Sequence, residues 1–95
     1  ASDPRLDALR AARDYREAIQ LDDAEAMAAA QQAAAALGEA HPETIMAHRV
    51  LIDTYVREGQ PYKAIDAAIR ALEVAPLDRE INRVKLGLLA QTDQI

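Results

Sequence analysis

One block in the middle of the chain constrains the fold more than any other feature. Large residues stand four positions apart on one segment, a glycine interrupts the pattern, two alanines follow seven positions apart, and a proline closes it. Two antiparallel helices that pack closely need this spacing, because large side chains fill the gap between them while alanines let the backbones approach. The block therefore predicts a central helical hairpin. Its residues are Leu51, Tyr55, Gly59, Ala64, Ala71 and Pro76.

The composition favours a small domain whose helices lie close together. The chain has 95 residues, 22 of them alanine, and contains no Phe, Trp or Cys. An alanine-rich core buries little apolar area per residue, and burial stabilises by only about 25 cal/mol per Å². Without cysteine there is no disulfide and no thiolate site. We therefore expect one marginally stable domain that carries no cofactor.

Charge and apolar content argue against two classes of partner. The net charge is -5, whereas nucleic-acid binding calls for a basic patch. Gln31 and Gln32 interrupt the longest alanine tract, so no run approaches the roughly 18 apolar residues of a membrane-spanning helix. We predict no nucleic-acid partner and no membrane span. Composition leaves open whether the domain is a soluble cytoplasmic or periplasmic protein.

Proline, glycine and aspartate residues divide the chain into five predicted helices and no strand. Asp3 precedes Pro4 and suits the N-cap of the first helix. Asp22 with Glu25 resembles a capping box at the start of the second helix, and Gly38 is expected to end that helix in the left-handed conformation. Later prolines and glycines delimit three more helices. Because the links are short, neighbouring helices should be antiparallel.

Residues 45–78 resemble one complete tetratricopeptide repeat, which is a pair of helices with a period of about 34 residues. Counted from Ile45, the seventh, eleventh, twentieth, twenty-seventh and thirty-second positions of the family pattern hold Leu51, Tyr55, Ala64, Ala71 and Pro76. His48 departs from the pattern because it replaces the usual Trp. Ile52 replaces a small residue and Ala68 an aromatic one, and these two departures offset each other in volume.

The preceding segment resembles a divergent first repeat. Residues 3–40 contain Ala26 and Ala33, which reproduce the alanine pair of the central block. The link over residues 37–44 reads Leu-Gly-x-x-His-Pro-x-Thr, which resembles the junction of kinesin-light-chain-like repeats.

The resemblance implies the architecture of the whole chain. Residues 41–78 would be the second repeat, and residues 79–95 the first helix of a third repeat or a capping helix. Residues 1–95 would then form a single all-α domain with five helices. Its hairpins would be stacked antiparallel pairs in a right-handed superhelix of about two and a half repeats.

The resemblance also implies a function, that of a non-catalytic protein-interaction scaffold, which we expect to be part of a larger bacterial protein. In this family the first helix of each repeat lines a concave groove that binds a peptide or partner protein. The fifth position of that helix holds Arg13, Arg49 and Arg83, and Asp53 lies at the ninth. Arginine pairs bidentately with carboxylates, so this row predicts an acidic peptide or a C-terminal carboxylate as partner.

Ordinary surface ion pairs are the competing interpretation of these residues. Glu17 follows Arg13 by four positions and Asp53 follows Arg49 by four, whereas Gly87 stands four positions after Arg83. Exposed helix pairs of this kind contribute about 0.3 kcal/mol. Because Asp53 also stands where chaperone-binding carboxylate clamps have Asn, we do not predict binding of chaperone tails.

The two histidines predict neither a metal site nor catalysis. His41 and His48 lie on either side of a helix start with no cysteine nearby, so we expect a helix cap and a half-buried packing residue. Glu39 and Glu43 lie near His41, but no nucleophile or glycine-rich loop accompanies them. The expectation is that the chain is not an enzyme.

The last predicted helix carries apolar residues on more than one side. We expect Leu86, Leu88 and Leu89 to leave an exposed patch, because one neighbouring helix cannot cover all three. The patch predicts an end interface that forms a weak homo-oligomer or contacts further sequence.

Two other functions stay open at this point. Residues 75–80 resemble a segment of the helical domain of some bacterial transcriptional activators, which favours a regulatory or sensory domain of a multidomain regulator. Alternatively, the chain is a self-assembling helical oligomerisation module.

Overall fold

The computed structural model describes residues 3–92, and over that range it consists of five α-helices and contains no strand. The prediction of an all-α chain with five helices is therefore confirmed. Residues 1–2 and 93–95 of the predicted domain lie outside the described range. The helices are α1 (Pro4–Gln20), α2 (Ala24–Ala40), α3 (Ile45–Arg57), α4 (Pro61–Val74) and α5 (Arg79–Thr92).

Consecutive helices pack on one another along the chain. The first hairpin is α1 with α2, the second is α3 with α4, and α5 packs on α4. The two hairpins meet where α3 packs on both α1 and α2. The result is an elongated array of 44 × 30 × 19 Å.

The first helix of each hairpin ends in the same backbone motif. Asp22 and Gly59 occupy the left-handed region, with φ of 53° and 71°. After Asp22, the Asp23 N–H donates to the Ala18 carbonyl at 2.9 Å, and the matching bond after Gly59 measures 2.8 Å. This is the Schellman arrangement, which satisfies carbonyls that the helix leaves open. Both hairpins therefore turn in the same way.

The turn from α2 to α3 recurs between α4 and α5. His41 and Ala75 have nearly equal φ (-136° and -131°) and ψ (75° and 72°). The N–H three residues on donates to each carbonyl, from Thr44 at 3.0 Å and from Asp78 at 3.1 Å. The spacing from His41 to Ala75 equals the period of the family that the sequence resembles.

A side chain from the following helix closes each junction on a proline carbonyl. His48 Nε2 lies 2.7 Å from the Pro42 carbonyl oxygen, and the Asn82 side-chain amide donates to the Pro76 carbonyl at 3.1 Å. His48 is buried rather than half-buried as predicted, because the carbonyl satisfies its ring nitrogen. His41 is a helix cap as predicted, but it caps the C-terminus of α2 and not the start of α3, where Thr44 is the N-cap residue.

Each hairpin has a core in which one large side chain lies against alanines. Tyr15 is the large residue of the first core, where α2 supplies Ala30 and Ala34. Ile52 is the large residue of the second core, which also takes in Ile81 of α5. The alanines of α4 in this second core are Ala67, Ala68 and Ala71. Ala64 is fully buried beside Leu88.

Two expected helix boundaries are wrong. Asp23 rather than Asp22 caps α2, since its carboxylate accepts the Ala26 N–H at 3.1 Å while Asp22 is occupied with the end of α1. Gly38 does not end α2, which continues to Ala40. Gly38 lies within the helix opposite His48, where a Cβ would meet the imidazole ring at an ordinary contact distance of 3.6 Å.

The predicted alanine pair of the first hairpin is also wrong. Ala26 is half-buried and Ala33 is exposed. In the register that the two junctions share, Ala30 and Leu37 are the residues equivalent to Ala64 and Ala71. The sequence register missed this because α2 has 17 residues and α4 has 14.

Candidate functional site

A depression between α3 and α5 brings together two of the predicted groove residues. Arg49 and Asp53 lie one turn apart on α3, and Glu80 joins them from the first turn of α5. The cavity is about 180 Å³, below the roughly 300–1,000 Å³ of small-molecule pockets. Its volume is close to that of a single side chain. The aliphatic residues that line it are Ile52, Val56, Ile81 and Val84.

Arg49 is held by carboxylates of α5 and its N-terminal junction. Its guanidinium donates to Asp78 at 2.7 Å and lies 3.8 Å from Glu80. Asp78 also accepts the Ile81 N–H at 3.0 Å. The pKa of Asp78 is lowered mainly by this backbone hydrogen bond, and the hydrogen bond from Arg49 has the second largest effect. Arg49 thus ties α3 to the start of α5, and the expected helix pair with Asp53 is replaced by this contact.

Asp53 is engaged by a different pair of groups. The Arg57 guanidinium donates to its carboxylate at 2.8 Å, and the Tyr15 hydroxyl donates to the same oxygen at 2.9 Å. Burial raises the pKa of Tyr15, a contact with Thr54 acts against this, and the hydrogen bond to Asp53 and the Asp53 charge add to it. Sequence reasoning missed this role of Tyr15 because the contact joins two hairpins. The available signal was the polar end of an otherwise buried tyrosine, which needs a partner.

Arg13 lies apart from the depression. Its guanidinium is 3.6 Å from Asp14, so the pair expected with Glu17 is not the one that forms. Counted back from the two matching helix ends, Ala12 rather than Arg13 is equivalent to Arg49. Arg13 therefore does not extend a row that begins at Arg49.

Arg83 is equivalent to Arg49 in the register that the junctions share, one repeat period further along the chain. It lies on a different surface, however, beside Leu77 and Leu86 on the side of α5 that faces solvent. The structure thus places the three arginines in three settings. Arg49 is ion-paired in the depression, Arg83 lies on an apolar surface, and Arg13 lies on α1.

The expected patch at the end of the chain is partly wrong. Leu86 is 67% exposed, but Leu88 is only 6% exposed because it packs on Ala64 and Ile65 of α4. Leu89 is half-buried in the same cluster. One helix, α4, covers two of the three leucines. The exposed apolar surface of this end is formed by Leu86 with Leu77.

A second groove lies over α3, lined also by residues of α2 and α4. Its volume is about 640 Å³, and its walls carry charges of both signs. Lys63 lies 5.9 Å from the centre of the Tyr55 ring, which forms a cation–π contact at its edge. Lys63 and Arg70 supply the positive charges, and Glu39, Asp66 and Glu73 the negative ones.

Within residues 3–92, no group of three or more metal-ligating side chains converges. Nor does this range contain a helix with the length and apolarity needed to cross a membrane.

No protein-family model, curated protein or solved structure matches this chain. The tetratricopeptide resemblance accordingly stays a prediction from residue spacing.

Proposed function

We propose that this chain is a non-catalytic protein-interaction module that binds a segment of a partner protein in the depression between α3 and α5. The observation that carries the proposal is the composition of that depression. Aliphatic side chains line it, Val56 remains 45% exposed, and charged groups stand at its rim. An apolar site with a few polar groups is the usual form of a binding pocket.

The rim favours an aliphatic anchor over an acidic one. Arg49 already pairs with Asp78 and Glu80, so a carboxylate from a partner must compete with two resident ones. Asp53 keeps further acceptor capacity beside the bonds from Tyr15 and Arg57. We therefore expect a leucine-like or valine-like side chain in the depression, flanked by partner groups that donate hydrogen bonds to Asp53 and Glu80.

The proposed arrangement is a tetratricopeptide-like right-handed stack with this depression in its concave groove. Repetition of the junction geometry at the period of that family supports it, as does the contact pattern in which α3 packs on α1, α2 and α4. Such repeats present an extended surface to partners.

Two valines allow a matched test of the depression. Val56 lines it near the end of α3, and Val74 lines the other groove at the end of α4. They are 45% and 41% exposed, so glutamate at either position should perturb folding to a similar, small extent. The probe is a random peptide library displayed on phage and selected against the parent protein. Val56→Glu should weaken the selected peptides by about tenfold or more, because an unpaired carboxylate would stand in an apolar site.

Val74→Glu should leave the same peptides bound with the parent affinity, and both variants should keep the parental circular dichroism spectrum. Loss of binding with Val74→Glu and not with Val56→Glu would move the site to the other groove and overturn the proposal. Failure of the selection to yield any peptide sensitive to Val56→Glu would overturn it too.

A further inference from the structure

The solvent-facing side of α5 carries residues equivalent to two that α3 uses to contact α4 and the start of α5. Arg83 and Leu86 are equivalent to Arg49 and Ile52, each one repeat period further along the chain. On α3, Arg49 meets the Asp78 carboxylate and Ile52 is buried beneath α4 and α5. On α5, the matching arginine and leucine are both exposed to solvent. Equivalent arginine and aliphatic side chains are therefore in contact with neighbouring helices on α3 and exposed to solvent on α5.

We call this surface the outer α5 face. Leu77 and Leu86 are 89% and 67% exposed, which makes them the two most exposed leucines of the second half of the described chain. Arg79 and Arg83 lie beside them, and neither forms an ion pair within residues 3–92. The surface is apolar and positively charged in a protein whose net charge is -5. Its lining residues are Pro76, Leu77, Arg79, Asn82, Arg83 and Leu86.

We propose that the outer α5 face docks a helix of a partner protein that begins with carboxylates and continues with aliphatic residues. The contact of Arg49 and Ile52 with the start of α5 supplies the template. There Asp78 caps a helix with one carboxylate oxygen while its other oxygen accepts from Arg49, and Ile81 follows into the apolar contact. An acidic first turn suits a helix N-terminus, and Arg83 offers it the same guanidinium.

A second copy of this chain is a poorer occupant than an acidic helix. Two outer α5 faces brought together would place like charges opposite one another, which disfavours a symmetric contact. The acidic start of α1 is also less suited, because Asp3 and Asp7 already lie 3.7 and 3.9 Å from Arg5 and Arg10. The proposed surface is separate from the depression between α3 and α5, so the two proposals fail independently.

The probe is a pair of synthetic helical peptides. The acidic peptide copies residues 76–92 with its ends blocked and with Arg79, Arg83 and Lys85 replaced by glutamine, so that Asp78 and Glu80 are its only charges. The neutral peptide carries the further changes Asp78→Asn and Glu80→Gln. Binding is measured by titration into the ¹⁵N-labelled protein, with amide shifts followed along all five helices. The acidic peptide should bind about tenfold more tightly, as two exposed ion pairs imply.

Charge reversal on the protein locates the contact. Arg83→Glu should remove the preference for the acidic peptide, and the largest amide shifts of the parent should fall on α5. Arg16→Glu is the matched control, since Arg16 is exposed on α1 and has no ion pair in the described part of the chain. This control should keep the full preference. Leu86→Glu should weaken both peptides, because it removes the apolar contact.

Four results would overturn the proposal. The first is equal affinity of the two peptides for the parent. The second is loss of the preference with Arg16→Glu as well as with Arg83→Glu, which would indicate an effect of net charge alone. The third is sedimentation of the parent as a dimer that Leu86→Glu dissociates, which would make a second copy the occupant. The fourth is peptide binding that disappears with Val56→Glu and persists with Arg83→Glu, which would assign it to the depression instead.

Discussion

The two hairpins have the same backbone geometry but use different side chains to fill the space between their helices. In each, the first helix ends in a Schellman turn, and one large residue stands seven positions before the left-handed residue. That large residue is Tyr15 in the first hairpin and Ile52 in the second, and both lie against alanines of the partner helix. The hairpins thus share their backbone geometry, while the chemistry of the filling residue differs.

The difference in this residue alters how each hairpin is tied to the next helices of the chain. The Tyr15 hydroxyl donates a hydrogen bond to the carboxylate of Asp53, which belongs to the second hairpin. Ile52 has no polar end, and the corresponding tie to α5 is made by Arg49 and Asp78 at the surface. Apolar packing therefore forms the hairpins, and single polar contacts fix how neighbouring units meet. Substitutions in both hairpins test this division, and their expected effects run from large to small.

The largest effect should come from enlarging the buried alanines. Ala34 of the first hairpin and Ala68 of the second are fully buried and equivalent in the junction register. Either Ala→Leu change should destabilise by about 1–3 kcal/mol through overpacking. Ala33→Leu, at an exposed neighbouring position, should change stability by less than about 0.5 kcal/mol. Urea unfolding measures all three, and a large loss for Ala33→Leu would restore the sequence-based alanine pair.

Much of the helical pattern was predictable because local chemistry determines it. Asp3 before Pro4 marked the start of α1, and periodic apolar residues indicated all five helices. The central hairpin was predictable because the spacing of Ala64 and Ala71 matches their burial. These features depend on contacts within one helix or between adjacent helices.

The pairing of polar groups was not predictable to the same degree. Arg49 was expected to pair within its own helix, yet the junction brings Asp78 closer in the folded chain. The register that assigned Arg13 to the groove is off by one residue. The Schellman turn at Asp22 was not recognised in the sequence because no glycine marks it. Such contacts depend on how complete hairpins meet, which residue spacing alone does not encode.

Substitution of Asp78, which pairs with Arg49, should cause the next largest loss of stability. Asp78→Ala removes both a helix cap and an ion pair, and we expect a loss of about 1–2 kcal/mol. Asp78→Asn keeps a capping oxygen and should cost less. Because the pKa of Asp78 is lowered on folding, its contribution is present above the unfolded value of 3.8 and is lost as the pH falls through the folded value. Unfolding curves of parent and Asp78→Asn should therefore converge at low pH, and a constant difference would contradict this assignment.

The hydrogen bond from Tyr15 to Asp53 should contribute less to stability than Asp78 does, and its contribution should depend differently on pH. Tyr15→Phe keeps the packing and removes the bond to Asp53, at a cost of about 1 kcal/mol. Because the pKa of Tyr15 is raised, the contribution of its hydroxyl is full below the unfolded value of 10.0 and declines as the pH rises toward the folded value. Tyr55→Phe serves as the control, since no hydrogen bond joins its hydroxyl to the described residues. Equal losses for the two variants would mean that the Asp53 contact does not tie the hairpins.

The smallest effect should come from exchanging the left-handed residues of the two turns. Asp22 and Gly59 hold the same position, and nothing lies within 4 Å of a Cβ placed on Gly59. Asp tolerates the left-handed region better than most residues. Glycine adopts it without steric strain, but a glycine makes the unfolded chain more flexible. Asp22→Gly should therefore stabilise, and Gly59→Asp destabilise, each by about 0.5 kcal/mol. Gly59→Val should cost clearly more, because a β-branched residue is strained at positive φ. Thermal unfolding of the four proteins measures this, and a Gly59→Val midpoint equal to that of Gly59→Asp would show that the second turn does not require the left-handed conformation.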